Sequence, residues 1–244
     1  MLQFNVVTLF PEMFSSITEQ GVTSRALSDQ LYGLELLNPR RFANNKYGNV
    51  DERPYGGGPG MVMMYEPLAQ SVQSFERKGP VIYLSPQGQP LTQAKAVALS
   101  KLDAITLVCG RYEGLDQRFI DEFVDEEISI GDYVLSGGEL GAMVLMDSVI
   151  RLLPGALGSH ESAEQDSFSD GLLDCPHYTR PEKIGDDAVP DVLMSGNHAM
   201  IAKWRREQQL KNTWLKRPDL LESVKLSDEE LNYLNDLRHK RESL

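Results

Sequence analysis

Cysteine is nearly absent from this 244-residue chain. Only Cys109 and Cys175 occur, far apart and outside any Cys-x-x-Cys or Cys/His ligand spacing. That argues against a disulfide framework or a zinc site and for two buried thiols. Long apolar runs are also lacking: none approaches the ~20 residues that span a bilayer. The N-terminus has no basic-then-apolar leader pattern, so a cytoplasmic location is the expectation. Positive charge is in short supply, with 24 Lys and Arg against 36 Asp and Glu, a net charge of −12. This balance excludes a nonspecific nucleic-acid coat. The glycine-rich run Asp51-Glu52-Arg53-Pro54-Tyr55-Gly56-Gly57-Gly58-Pro59-Gly60 has no Gly-Lys-Ser/Thr after it. Pro59 also removes an amide that a phosphate cradle would use, so this run reads as a substrate-facing loop. Gly137-Gly138-x-x-Gly141 lacks the spacing of a dinucleotide fingerprint and its downstream acid. No internal repeat is visible.

What is present is an alternation of strands and helices. The length suits one large domain or two smaller ones. Leu2–Leu9 reads as a buried strand, broken at Phe10-Pro11 where a helix starts. Further strands are predicted at Leu34–Leu37, Val81–Leu84, Ala104–Cys109 and Ile128–Ile130, with a short extended piece at Tyr133–Leu135. Helices are predicted around Glu66–Arg77, Thr92–Lys101 and Asp116–Val124. The pattern implies an α/β fold with a largely parallel sheet. Past Pro154 it collapses: Gly155–Asp174 is rich in Ser, Asp, Glu and Gly and reads as a linker or mobile loop. Helical patterns then return at Asn197–Thr213 and Ser227–Lys240, fitting a small all-helical C-terminal domain.

The chain is organised around Glu126–Pro154. There Ser136-Gly137-Gly138-Glu139 reads as a Ser-x-x-Glu capping box opening a long apolar helix. Two further turns, Leu84-Ser85-Pro86-Gln87-Gly88 and Cys109-Gly110-Arg111-Tyr112-Glu113-Gly114, also follow strands and precede helices. Ligands in open α/β sheets gather at such carboxyl ends, so these turns could form one pocket. An ordinary set of capped strand–turn–helix units is the plainer alternative. Charge is distributed unevenly. Lys203, Arg205, Arg206, Lys211, Lys216 and Arg217 cluster with Trp204 and Trp214, opposed locally only by Glu207. This is a candidate face for a folded polyanion, with a solvated helix face as the alternative.

These turns, together with Asp51–Gly60 and Leu172-Leu173-Asp174-Cys175-Pro176-His177-Tyr178-Thr179-Arg180-Pro181, closely resemble the bacterial tRNA (guanine-N1)-methyltransferases, of the knotted SPOUT class. The match runs in order over essentially the whole chain. The resemblance implies a deep trefoil knot within about Val81–Gly141, against the general rule that chains do not knot. It implies an obligate homodimer with active sites at the interface, S-adenosylmethionine as methyl donor, and as substrate the guanosine immediately 3′ of the anticodon in tRNA. No membrane or DNA partner is expected. It divides the chain into a donor-binding domain at 1–157, a flexible loop at 158–174 and a helical tRNA-binding domain at 175–244.

By the same resemblance Asp166 is the general base at guanine N1 and Arg151 stabilises charge on O6. Composition alone makes Asp166 an acid in a solvated loop and Arg151 a charge at a helix C-terminus. The donor would lie against Tyr83, Leu84, Ser85, Pro86, Gly110, Glu113, Ser129, Ile130, Gly131, Asp132, Tyr133, Val134, Leu135, Gly137 and Gly138. Contacts to tRNA would come from Gly60, Tyr112, His177, Tyr178, Arg180, Lys203, Arg205, Arg206, Lys211 and Arg217. A magnesium ion held by Glu113 or Asp166 would accord with the resemblance, though no metal spacing supports it. Competing readings are an RNA-binding module that has lost catalysis and a related methylase acting on ribose or rRNA.

Overall fold

The computed structural model describes residues 1–158 and 166–242. By compactness the chain divides into two units, Met1–His160 and Glu161–Leu244. In the first unit, β1 (Leu2–Val7), β2 (Tyr32–Leu37), β5 (Val81–Pro90), β6 (Ala104–Cys109) and β7 (Glu126–Ser129) form a parallel sheet in the order β2-β1-β6-β5-β7. A separate antiparallel pair joins β3 (Asp51–Glu52) to β4 (Val62–Met63).

Strand side chains alternate between two apolar layers, as a sheet covered on both faces requires. Phe4, Val6, Ile82, Leu84, Ile105 and Leu107 face one layer, closed by Ala96 and Leu99 of α4 (Gln93–Leu99) and by Leu145, Met146 and Val149 of α6 (Glu139–Ile150). Val7, Val81, Tyr83 and Val108 face the other, closed by Leu68 and Val72 of α3 (Tyr65–Ser74) and Phe119 of α5 (Gln117–Phe123). Two short helices, α1 (Ser15–Thr18) and α2 (Gly21–Ser28), follow β1 and add Ile17 and Ala26 to the first layer. No helix among the described residues is long and apolar enough to cross a membrane.

Some expectations change. The helix after Phe10 begins as a 3-10 turn at Pro11–Phe14. Strand β5 runs six residues past the predicted end at Leu84, because Gln89 and Pro90 re-pair with Ile128 and Ser129 of β7 beyond a register shift. Tyr133–Leu135 is not a strand; it finds no ladder partner among the described residues, with a bend at Tyr133 and irregular backbone at Val134 and Leu135.

In the second unit, a short helix α7 (Asp191–Met194) precedes α8 (His198–Lys216) and α9 (Asp228–Glu242), and these last two pack around a small core of Leu172, Leu210 and Leu234, with Trp214 and Tyr233 against it. This unit is not all-helical, since Lys183–Ile184 and Asp187–Ala188 pair as an antiparallel hairpin. Part of the predicted loop, 159–165, lies outside the described residues. The rest is turned back on itself: Phe168 N–H donates to the Leu172 carbonyl at 2.7 Å, and Ser167 Oγ accepts from Asp174 N–H at 2.9 Å.

Candidate active site

The register-shifted stretch Ser85–Gly88 within β5 and the turns that follow β6 and β7 meet at one end of the sheet. They wall a cavity of about 240 Å³. Of the residues predicted to bind the donor, Tyr83, Leu84, Ser85, Pro86, Gly110, Glu113, Ser129, Ile130, Gly131, Tyr133, Val134, Leu135, Gly137 and Gly138 all line it. Asp132 does not; its side chain is exposed. Tyr112, predicted on the RNA side, lines the cavity too, as do Gln87, Arg111, Gly114, Ile128, Ser136 and Gly141.

Close approach of main chain to main chain shapes this cavity. Gly138 N–H donates to the Gly110 carbonyl at 2.9 Å. A Cβ on Gly138 would stand 2.8 Å from Cys109 Cα, inside any real contact, so only glycine lets the two turns touch. A Cβ on Gly137 would meet Arg111 Nε at 2.2 Å. Tyr83 packs beneath Gly110, and burial, helped by the charge on Glu127, pushes its phenol up to about 12. It is therefore a neutral wall at any working pH. Burial, with Glu139 nearby, likewise raises the Cys109 thiol well above its usual range, so it is inert packing.

A buried ion pair ties the turns together. Glu139, fully buried, places Oε2 2.9 Å from both Arg111 Nε and Nη2. Its Oε1 accepts from Thr8 Oγ1 at 2.9 Å. Arg111 Nη1 donates to the Ser136 carbonyl at 3.1 Å, and its guanidinium carbon lies 4.4 Å above the Phe10 ring. The predicted capping box at Ser136–Glu139 therefore does not form. Helix α6 starts with no side-chain cap because its glutamate faces Arg111 and Thr8 rather than the Ser136 amide. Neither Thr8 nor this use of Glu139 was read from the sequence. The available signal was a lone carboxylate in the first turn of a helix that is apolar from Leu140 to Met146.

The electrostatic result is selective. The one guanidinium in the wall is committed to Glu139, while the exposed carboxylate of Glu113 stands at the rim. A pocket with a neutralised cation and an available anion suits a ligand with positive charge rather than a phosphate. Its main-chain N–H and C=O groups can read the edge of a planar heterocycle. Gly60, at positive φ, packs against Glu113, where a Cβ would come within 2.3 Å of Oε1. The 53–60 loop thereby reaches the rim, braced by Glu113 N–H donating to the Met61 carbonyl at 2.9 Å.

Arg151, the C-cap of α6, lines a second, shallower hollow with Val22, Tyr133, Leu135, Leu140 and Val144. Asp166 lies in the second unit, partly buried, its carbonyl accepting from Ser169 N–H at 3.2 Å. Within that unit, His177 is exposed and its Nε2 lies 2.8 Å from Asp174 Oδ2. Burial drives the Asp174 carboxyl upward, but hydrogen bonds from His177 and the Cys175 amide outweigh it and hold the group below its ordinary range. Tyr178 packs against Trp204 with ring centroids 6.3 Å apart, and Arg180 is exposed.

The basic cluster needs correcting. Glu207 is not its only counterweight: Lys203 pairs with Glu229, Arg206 with Glu230 and Asp170, and Arg217 with Asp219. Sequence distance hid most of these acids. Arg205, Lys211 and Lys216 stay exposed, with no ion pair among the described residues. Trp214 is core packing. Both cysteines are buried free thiols. The one cluster of three metal-capable side chains among the described residues is Asp174, Cys175 and His177. It contains neither Glu113 nor Asp166, and its sulfur and nitrogen atoms are not the all-oxygen set that magnesium takes.

Comparison with known proteins bears on this geometry. The family model described as tRNA (Guanine-1)-methyltransferase TrmD matches residues 2–223. The chain is 56% identical over 250 residues to a tRNA (guanine-N(1)-)-methyltransferase of Aromatoleum aromaticum, covering 99% of this chain and 95% of that protein. It is 59% identical over 223 residues to the protein of the same name from Hydrogenovibrio crunogenus, covering 90% and 94%. For the Shewanella sediminis protein of that name the figures are 57% over 239 residues, 96% and 99%.

Proposed function

The chain belongs to the tRNA (guanine-1)-methyltransferase family, and from that premise we propose that it methylates N1 of the guanosine immediately 3′ of the anticodon, with S-adenosylmethionine as donor. The observation that carries this is the cavity between the crossed turns, walled by main chain, neutral side chains and a guanidinium already paired with Glu139, with a carboxylate at its rim. S-adenosylmethionine supplies an electrophilic methyl group on a sulfonium and an adenine whose edge matches such a wall. In this reading the donor lies along Leu84–Pro86, Gly110 and Ile130–Gly138, with Glu113 facing its positive charge.

Guanine N1 carries a proton at neutral pH, so the chain must supply a base there and positive charge at O6. We assign the first task to Asp166 and the second to Arg151. The segment 158–174 is then the interdomain stretch that brings the carboxylate to the target, and 175–244 the tRNA-binding domain. A base methylated on its pairing edge must leave its stack. Gly60 and Tyr112 stand where the extruded base would enter, while His177, Tyr178, Arg180, Arg205 and Lys211 serve the stem and its phosphates. No step of this reading runs through a magnesium ion.

Two finer features belong to the same proposal. The chain leaves β7 at the sheet edge yet bonds at Gly138 to the end of β6, crossing the end of β5 between them. That path supports the trefoil knot. Helix α6 is apolar around most of its circumference, yet Leu140 and Val144 are each 48% exposed. Helices apolar on all sides are normally covered, which supports a homodimer packed through this face, where Arg151 also lies. Asp166 of one subunit would then serve the pocket of the other.

The test is incubation with labelled donor and an undermodified tRNA, followed by nucleoside mapping. The label is expected in 1-methylguanosine next to the anticodon. Asp166→Asn is expected to lose at least a hundredfold in kcat with donor affinity retained. Normal turnover by that variant, or label in a ribose methyl, would overturn the assignment of the base.

A further inference from the structure

The turn Ile130–Gly137 forms one wall of the donor cavity, yet it is thinly held. Its internal bonds are local: Tyr133 N–H donates to the Gly131 carbonyl at 2.9 Å, and Tyr133 hydroxyl to the Ile130 carbonyl at 3.1 Å. Its side chains do not anchor it, since Tyr133 is 54% and Val134 85% exposed. At its start the Ser129 hydroxyl, on the last residue of β7, donates to the Gly131 carbonyl at 3.1 Å and accepts from Gly131 N–H at 3.2 Å. Among the described residues, the one hydrogen bond reaching this turn from beyond the adjoining strand comes from Arg111 Nη1, to the Ser136 carbonyl at 3.1 Å.

Arg111 is itself immobilised. Glu139 holds two of its nitrogens, Thr8 orients Glu139 from the far side, and Phe10 covers the guanidinium face. The planar fork of arginine is what allows one side chain to grip a carboxylate and a carbonyl together. A guanidinium fixed on both sides and aimed at one carbonyl is a poor tRNA contact and a good strut.

We infer that Arg111 is a positioning residue for donor binding. It clamps the Ser136 carbonyl and so sets how far the Ile130–Gly137 wall stands from the Cys109–Gly110 turn. The inference rests on reading this cavity as the S-adenosylmethionine site. It assigns Arg111 no contact with the transferring methyl and no proton to move.

Arg111→Lys separates this role from mere stability. Lysine keeps a cation beside Glu139 but has a single head that cannot hold Glu139 and Ser136 at once. Removing the charges as a pair, with R111M/E139L, spares the core an unmatched charge and cuts the same tether. Titration calorimetry with S-adenosylmethionine and steady-state kinetics with tRNA are the readouts. For both variants the donor Kd and KM are expected to rise on the order of tenfold, as for a lost hydrogen bond to a charged group. At saturating donor, kcat and the tRNA KM should stay within about twofold. Thermal melts identify which variants are folded, and R111M/E139L decides the matter if R111K melts early. An unchanged donor Kd in a folded variant overturns the clamp, as does a fall in kcat with donor affinity intact. Failure of the wild-type enzyme to bind S-adenosylmethionine would instead overturn the reading of the cavity.

Discussion

Two helices of this chain begin with the same pattern, Ser-x-x-Glu, and the two patterns behave in opposite ways. At Ser227–Glu230 the box closes: Ser227 N–H donates to Glu230 Oε2 at 2.8 Å, and Glu230 N–H donates to Ser227 Oγ at 3.3 Å. At Ser136–Glu139 neither bond forms, and the glutamate turns inward to Arg111 and Thr8. A reciprocal cap is a local solution, worth about 1 kcal/mol. A buried carboxylate that meets a guanidinium and a hydroxyl is held more strongly, because leaving either charge alone in the core is so costly. The tertiary offer wins wherever it exists. The first helix start is thereby released from capping duty and becomes part of the cavity wall.

The largest test of this contrast is Glu139→Ala, which leaves Arg111 unmatched in the interior. It is expected to cost about 3–5 kcal/mol in urea unfolding of the first unit, whereas Glu230→Ala should cost about 1–2 kcal/mol. Next comes Gly138→Ala. Its Cβ would press on Cys109 Cα at 2.8 Å, and donor affinity is expected to fall by at least about tenfold. Glu229→Ala, inside the other box, should alter stability by no more than about 0.5 kcal/mol. The serines invert the ranking. Ser227→Ala should cost about 1 kcal/mol, and Ser136→Ala less than about 0.5 kcal/mol, since its side chain caps nothing. Equal losses at the two serines would break the comparison.

The smallest effect is on pH. Burial tends to raise the Glu230 carboxyl, but the hydrogen bonds from Ser227 and from Arg206 prevail and hold it below its ordinary range. A depressed carboxylate contributes stability that is complete above the unfolded-state pKa and is lost as pH falls through the folded one. Acid unfolding of the wild type, followed by circular dichroism, should therefore be steeper below the ordinary glutamate range than that of Glu230→Gln. Superimposable curves would show that the box does not bind its proton as the geometry requires.

Local pattern made some features legible and long-range pairing hid others. Ala104–Cys109 appears with its predicted ends because six consecutive buried residues between two neighbours leave no other solution. The pocket-forming turns were readable because glycine and proline punctuate them. The extension of β5 through Pro90 was not, since only Ile128 and Ser129, some forty residues away, give Gln89 and Pro90 their partners. Tyr133–Leu135 looks extended for its residue types but has no strand to pair with among the described residues. The acids that neutralise Lys203, Arg206 and Arg217 come partly from α9 and from Asp170, beyond any window on α8. The roles proposed for Asp166 and Arg151 rest on family likeness; no spacing or periodicity marks either one.

The hydrogen bond from Thr8 to Glu139 spans 131 positions of sequence. During synthesis the first strand leaves the ribosome long before its far partner exists, and Arg111 emerges without its counterion. Until roughly another thirty residues have been made, that guanidinium has no carboxylate to meet, and the nascent sheet carries a charge it cannot bury. Growth of the chain thus sets the clock for completing the cavity at the sheet end, which should resist protease only in translation intermediates that already expose residue 139 outside the exit tunnel.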